Sequence, residues 1–417
     1  MSYIKPFRAL RPTAEYADKV AALPFDVYTT KEARAASAGN PYSFLHVDKA
    51  EIDLPDSVSQ YDETVYEKAK QNLDKLVSDG ILIQDPSPCF YIYRLTAQGR
   101  SQTGLACCVS AQEYEQGLIK KHELTRRDKE QDRINHVNTL SAHTGPIFTA
   151  YKSNGTDEPR ALIAQWTAGN DPVYDFTATD GVRHTVWVVD DPAAIAALTA
   201  IFTQLPALYI ADGHHRSASA AHVARQRMAC AAKNTGGEPD DLECGYYLSV
   251  VFPHDELTIL DYNRLVRDLN GMDAQSFLLK VSEDFDILKC DGPVKPSRQR
   301  MFGMYVAGNW YQLVYKRTPA DDVVAHLDVS ILQTSLLSPI LCIRDPQTDK
   351  RIEFAGGSRG PGFLSQCVDS GEMAAAFTLF PTSMEELMAI ADANRIMPPK
   401  STWFEPKLRS GLLIHTF

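Results

Sequence analysis

One stretch constrains this chain more than any other. An apolar pentapeptide, ALYIA, runs into the turn Asp212-Gly213-His214-His215-Arg216 and then into the Ala-rich run SASAAHVARQRMACAAKN. ALYIA is apolar without a break, the pattern of a short buried strand. The following run is dense in Ala, Arg and Gln, which are strong helix formers. A strand that passes to a helix through a glycine leaves the helix N-terminus open beyond the strand's end. Its first N–H groups have no partner within the helix, and the helix dipole adds partial positive charge there. Glycine lets that backbone approach a ligand closely. Such a turn is built to take an anion. His214, His215 and Arg216 add donors, and an arginine can grip a phosphate with two N–H groups. Asp212 could hold Mg²⁺ or orient a histidine. The bland reading is a helix capped by Asp212 with two structural histidines; the density of the cluster favours function. Adjacent helical residues point about 100° apart, so His214 and His215 do not suit one shared transition metal.

Composition narrows the partners. The formal net charge is −11, with 42 Lys and Arg against 53 Asp and Glu. Affinity for nucleic acid comes mostly from clustered cations, so a nucleic-acid-binding protein is not expected. Cys89, Cys107, Cys108, Cys230, Cys244, Cys290, Cys342 and Cys367 are scattered with no C-x-x-C pair. They read as reduced, mostly buried thiols, with neither disulfides nor a zinc site. The N-terminus MSYIKPFRALRP lacks a signal-peptide core, and the most apolar helical stretch, near Ala193 to Phe202, is about half a membrane span. We expect a cytoplasmic protein without a membrane partner.

The order of elements predicts an α+β protein. Val65, Ala69, Leu73, Leu76 and Val77 recur at three- and four-residue steps and predict a helix over 61–80. CFYIYRL and QTGLACCVS predict a hairpin over 89–110, turning at Gly-Arg-Ser. After Thr125 the charged run predicts a solvated helix. Strands follow at Thr144 to Tyr151, at HTVWVV and at Tyr246 to Phe252. Residues 152–182 carry Asn-Gly, Gly-Asn, Asp-Pro and Asp-Gly and read as loop. Asp191 with Pro192 starts a helix to about Gln204, and Gly236-Gly237 breaks the chain. FGMYVAG and NWYQLVYK predict a second hairpin across Gly308-Asn309. DVSILQTSLLSPIL is helical, with Asp328 as its cap, and MAAAFTLF is a strand. Ser383 and Glu386 form a capping box, and the tail from Ile396 is irregular.

Two further segments carry chemistry. Lys120-Lys121-His122-Glu123-Leu124-Thr125 sets a carboxylate beside Lys and His, a pattern suited to a general base, although a charged run is more often a solvated face. Pro398-Pro399-Lys400-Ser401-Thr402 fixes an extended backbone and then presents donors for an anion. Lys407 and Arg409 thicken the positive charge nearby. Arg8, Asp26, His46, Asn263 and Arg264 read as core or supporting residues. Gly356-Gly357 with Arg359 lacks the strand–GxGxxG–helix context of a Rossmann site.

At these motifs the chain resembles a bacterial family of about 400 residues catalogued as a domain of unknown function. The shared marks are PFRAL, NPYSFLHV, KKHELT, TGPIF, ADGHHR, DVSILQ and IMPPKSTWFEPKLRSGL. The DGHHR turn is also similar to the signature of the ParB/sulfiredoxin-like superfamily, whose members bind nucleotide phosphates. Within it, the likeness is to the archaeal free-serine kinase, which carries K-x-H-E, D-G-H-H-R and S-P-K-T-T segments in the order found here. The chain departs by about ninety residues before KKHELT, by a longer spacing to DGHHR, and by Ser401 where the kinase has threonine.

The resemblance implies a ParB/sulfiredoxin-like core with an N-terminal extension and a C-terminal α/β domain. Residues 1–110 would pack on a nucleotide-binding core at 111–275, and 276–417 would form the domain that closes the cleft. It implies a phosphotransferase, a free L-serine kinase that makes O-phosphoserine from a nucleotide, ADP or ATP, with Mg²⁺. Glu123 would be the catalytic base with His122 beside it. Asp212, Gly213, His214, His215 and Arg216 would hold the donor phosphates, and Asp212 the Mg²⁺. Lys400, Ser401 and Thr402 would bind acceptor or phosphate. A phosphoserine phosphatase or reverse-running kinase, a nucleotide-binding regulator without turnover, and a DNA-binding protein or nuclease are the rival readings, the last opposed by the charge. Serine or phosphoserine and a nucleotide are the expected partners, and homo-oligomerisation stays open.

Overall fold

The computed structural model describes residues 4–153, 158–235 and 242–417, so Asn154-Gly155 and Gly236-Gly237 lie outside the described residues. It is a mixed α/β protein whose contacts divide it into two compact units. Unit 1 comprises residues 1–121, 125–257 and 406–417; unit 2 comprises 122–124 and 258–405.

Unit 1 is built on a mixed sheet. Its main strands are β1 (Phe90–Ala97), β2 (Arg100–Ser110), β3 (Ile119–Lys120), β4 (Ile147–Tyr151), β5 (Tyr174–Thr177), β6 (Arg183–Val189), β7 (Leu208–Asp212) and β8 (Tyr246–Pro253). They lie in the order β3-β7-β4-β8-β2-β1-β6-β5, and Ile4–Lys5 adds to β2. Strands β4 and β8 are parallel, as are β7 and β3, while β7 and β4 are antiparallel. The β1–β2 hairpin turns at Gln98-Gly99, one residue earlier than expected. Both residues have positive φ, 51° and 77°, the requirement of a tight two-residue hairpin turn.

One face of this sheet is covered by helices. Phe90, Ile92, Leu105, Ile147, Leu208 and Ile210 pack with Leu198 and Phe202 of the helix Pro192–Thr203. Ala220, Ala221 and Ala224 of the helix His214–Thr235 join the same core. Their small side chains let that helix lie close against its neighbours. A helix Glu158–Gly169 occupies the stretch expected to be loop. Ile163 is buried in the core, with Leu162 and Trp166 packed on it, so burial of an apolar face overrides the turn dipeptides around it. The charged helix is real but not solvated. In Arg127–Leu140 the residues Asp132, Arg133, Ile134, His136, Val137 and Leu140 are buried.

A second core lies under the helix Glu63–Ser78, where Val65, Ala69, Leu73 and Leu76 meet Phe44, Leu45 and Val47. A small sheet ties it together. Ile414–Thr416 pairs with both Ala9–Pro12 and Ala142–His143, so the tail is not irregular throughout. Trp403–Glu405 is also a strand.

Unit 2 has a six-stranded sheet. Its order is Phe285–Cys290, Asn309–Tyr315, Met301–Val306, Ala375–Thr378, Tyr262–Val266, Ile352–Gly356. The second hairpin turns at Ala307-Gly308, again with both φ values positive. Leu265, Tyr305, Trp310 and Ala376 form its core with Leu364. The helix at Asp328–Leu332 continues as a π-helical turn over Gln333–Leu337, and its cap is Leu327 rather than Asp328. The Ser383–Glu386 capping box is present.

All eight cysteines are free. Only Cys89, Cys107 and Cys108 are buried; Cys230 and Cys342 are exposed, which corrects the expectation of mostly buried thiols. Among the described residues no helix is long and apolar enough to cross a membrane.

Candidate anion-binding site

Unit 1 presents the DGHHR turn as a strand–glycine–helix junction. Strand β7 ends at Asp212 and the helix begins at His214. Pairing with β4 shifts register between Ile210 and Asp212, a bulge that re-aims the strand's last side chain. Gly213 has φ +99°, where a side chain is strained. A Cβ at Gly213 would also lie 3.2 Å from the Arg216 guanidinium, which folds back over it. Both constraints call for glycine. Ser217 closes the first turn, its N–H and hydroxyl both donating to the Gly213 carbonyl at 2.9 and 3.2 Å.

Two cations, Lys407 and Arg216, stand at this turn. Lys407 donates from Nζ to Asp212 Oδ2 at 2.7 Å, with side-chain exposures of 11% and 27%. Burial pushes the Asp212 carboxyl up, but Lys407 and Arg216 outweigh it and hold the group well below the usual carboxylate range. Arg216 Nη1 donates to the Pro146 carbonyl at 2.5 Å. His214 is buried. The Arg126 N–H donates to His215 Nε2 at 3.0 Å. A backbone N–H can only donate, so that nitrogen is unprotonated and the ring carries its proton on Nδ1.

Lys407 was read from the sequence as extra charge for the segment around Lys400. The chain instead returns to unit 1 at residue 406, which delivers Lys407 to Asp212 and Arg409 to Asp180 and His184.

A small cleft, open to solvent and with about 30 Å³ of free space, adjoins Arg216 in unit 1. Asp48, Arg133, His136, Thr144 and Ser410 help line it. Thr144 donates to Asp48 at 2.7 Å, and His136 Nε2 lies 3.1 Å from the Val47 carbonyl. Burial, with Arg133 nearby, lowers the His136 pKa to about 4, so the ring is neutral near pH 7. Sequence reading passed over these residues, although Asp48 adjoins NPYSFLHV and Thr144 opens TGPIF. The signal was there in the shared marks, without a motif to give it a role.

The KKHELT segment is divided. Lys120 and Lys121 belong to unit 1, where their ammonium groups lie 5.7 and 5.1 Å from the rings of Tyr209 and Tyr114. Thr125 returns to unit 1 and donates to Glu130 at 2.6 Å. His122, Glu123 and Leu124 belong to unit 2. His122 is buried, Glu123 is half-buried, and the Met397 N–H donates to the His122 carbonyl at 2.8 Å. Unit 2 thus brings the Glu123 segment beside the strand of chain that leads to Lys400.

Lys400 stands at φ +59°, a conformation uncommon for a residue with a side chain. Its ammonium lies 5.7 Å from the Tyr262 ring centroid. The Ser401 hydroxyl donates to the Pro398 carbonyl at 2.6 Å and so closes the turn. Thr402 is half-buried.

Magnesium was expected at Asp212. One Asp212 oxygen is engaged by Lys407, and Arg216 adds positive charge beside it. This donor set fits Mg²⁺ only as a single ligand beside phosphate oxygens of a bound nucleotide.

A family model described as "Protein of unknown function (DUF1015)" matches residues 4–330. No curated protein matches the sequence. Among solved structures, a free serine kinase in complex with AMP is similar over 74% of this chain and 92% of its own, with 13% identity and a TM-score of 0.36. A conserved hypothetical protein from Pyrococcus furiosus is similar over 74% and 95%, with 13% identity and a TM-score of 0.36. SbnI with a C-terminal truncation, from Staphylococcus aureus, is similar over 74% and 87%, with 12% identity and a TM-score of 0.38.

Proposed function

The chain belongs to the DUF1015 family, a family of unknown function, and within it we propose a nucleotide-dependent kinase that phosphorylates the hydroxyl of free L-serine. The observation that carries the reading is the junction at Gly213. A helix N-terminus, an arginine folded over a glycine and a lysine-neutralised aspartate together make a pre-built place for phosphate oxygens. The order of K-x-H-E, D-G-H-H-R and P-K-S-T supplies the chemical class and the ParB/sulfiredoxin-like assignment of the core.

In this reading Gly213, His214, His215 and Arg216 cradle the donor phosphates. Asp212 holds Lys407 in place, and its second oxygen would be the protein ligand to a magnesium ion bound with the nucleotide, which would supply neutralisation of phosphate charge. Glu123 takes the proton from the serine hydroxyl. The hydroxyl oxygen then attacks the terminal phosphorus, the bond from phosphorus to the leaving oxygen breaks, and the shortened nucleotide departs with that oxygen. Lys400, Ser401 and Thr402 hold phosphate or acceptor. Such a reaction depends on positioning and charge neutralisation more than on covalent help from the protein.

The test is direct. Incubation with serine, Mg²⁺ and either ADP or ATP is expected to yield O-phosphoserine, detected by mass. Glu123→Gln should lower the rate by about 10²–10⁴ with nucleotide affinity unchanged. Tight nucleotide binding without phosphoserine would point to a regulator. Phosphate released from phosphoserine without nucleotide would point to a phosphatase.

A further inference from the structure

Unit 2 buries a guanidinium that no carboxylate neutralises. Arg264, on the strand Tyr262–Val266, is 4% exposed. Among the described residues no Asp or Glu acts on it, and burial alone draws its pKa down to about 10. Its Nη1 donates to the Tyr262 carbonyl, its plane lies 5.1 Å from the Phe354 ring centroid, and its Nη2 donates to the Lys400 carbonyl at 3.1 Å. A longer contact of 3.5 Å reaches the Pro399 carbonyl. Burying a charge without a counter-ion is costly, so it calls for a role.

The loop it touches has an ordered polarity. Four successive carbonyls meet donors from within unit 2. Pro398 receives the Ser401 hydroxyl, Pro399 and Lys400 receive Arg264, and Ser401 receives the Thr382 hydroxyl at 3.1 Å. In a trans peptide the N–H points opposite the carbonyl. The N–H groups of Lys400, Ser401 and Thr402 are therefore directed away from these internal donors. Pro398 and Pro399 have no N–H to compete. Lys400 at φ +59° supplies the left-handed residue found in backbone nests that concentrate N–H groups on an anion.

We propose that Arg264 is a positioning residue: it turns the carbonyls of 399–400 inward and so shapes Lys400, Ser401 and Thr402 into a backbone nest for a phosphoryl oxyanion. This rests on the reading of residues 400–402 as a phosphate site and assigns its working groups, the backbone amides rather than the Ser401 hydroxyl. Arg264 never touches the anion; its charge adds attraction from behind.

The sequence offers a clean probe. Ser401-Thr402 is the one Ser-Thr step in the chain. Carbonyl-¹³C serine with ¹⁵N threonine therefore isolates the Thr402 amide in the full-length protein. Titration with inorganic phosphate is expected to move that amide downfield and to saturate. Arg264→Met, which keeps bulk and removes charge, should weaken this titration tenfold or more without lowering the thermal midpoint. Arg264→Lys, which keeps charge but cannot span two carbonyls, should weaken it severalfold and serves if the first variant fails to fold. A wild-type amide that ignores phosphate overturns both the nest and the reading of 400–402. A wild-type amide that responds, with an unchanged titration in both variants, overturns only the role of Arg264.

Discussion

The two units treat buried charge in opposite ways. Unit 1 pairs it. Arg11 meets Asp85, Lys49 meets Glu51, Arg133 meets Asp132, and Lys407 meets Asp212, at 2.7 to 2.9 Å. Unit 2 leaves two charges without an ion partner among the described residues. One is Arg264. The other is Asp328, 7% exposed, which accepts the Arg300 N–H at 2.8 Å through one oxygen while the other has no partner. Burial, with Glu386 nearby, raises the Asp328 pKa to about 7. Paired burial gives a unit whose charges fix geometry. Unpaired burial gives a unit whose groups change state with pH or shape a neighbouring loop.

The largest loss of stability that would break this contrast comes from unpairing unit 1. Lys407→Met takes the ion partner from the half-buried Asp212 carboxylate, and the loss lies between the exposed and buried limits, about 2 kcal/mol. Hydrogen exchange should show unit 1 loosened and unit 2 unchanged. Equal loss of protection in both units would mean that they unfold together. Gly213→Ala comes next. Strain at φ +99° and the approach to Arg216 should cost about 1–2 kcal/mol and weaken nucleotide binding measured by calorimetry. A third test replaces Asp328 with Asn, which keeps an acceptor for Arg300. Unit 2 should be little changed at pH 4 and more stable by about 1.4 kcal/mol for each pH unit from there to pH 7, with the full gain present at pH 8. Destabilisation at pH 8 would instead give the ionised carboxylate a partner of its own.

A further contrast is a difference in slope with pH. Burial, with Arg409 close by, lowers the His184 pKa to about 3, and burial lowers His143 as well. With His136 near 4, unfolded histidines gain protons from about pH 6.5 downward that folded unit 1 refuses. Unit 1 is therefore expected to lose stability as pH falls from 6.5 to 4. Asp328 acts the other way. Its folded form keeps a proton that the unfolded chain releases from about pH 4 upward, so its contribution is lost as pH rises to about 7. Unit-resolved exchange at pH 5 and pH 7.5 would show these opposite trends or their absence.

Much of the fold was legible because periodicity and turn chemistry are local. The helix through Val65, Ala69, Leu73 and Leu76, both hairpins, and the β7–Gly213–helix junction each follow from neighbouring residues. What escaped was decided at long range. The helix Glu158–Gly169 forms because Ile163 reaches a core that its flanking turn residues do not announce. Arg127–Leu140 hides charges that find partners far along the chain, as Tyr66 donates to Asp132 at 3.0 Å. In the site, Asp212 to Arg216 stood out as a cluster. Its partner Lys407 lies 195 residues away, and nothing in the spacing links them. Arg264 read as a supporting residue, but its carbonyl acceptors at Pro399 and Lys400 appear only in three dimensions.

The strand Ile414–Thr416 carries a temporal consequence. It is hydrogen-bonded both to residues near the start of the chain and to Ala142–His143, and the same twelve-residue return includes Lys407. On the ribosome, the first 257 residues would emerge without their closing strand and without the cation that neutralises Asp212. All of unit 2 would be synthesised before either arrived. Completion of unit 1 is thus a late event in biosynthesis, and the turn Asp212 to Arg216 would gain its full charge only when residues 406–417 have left the exit tunnel.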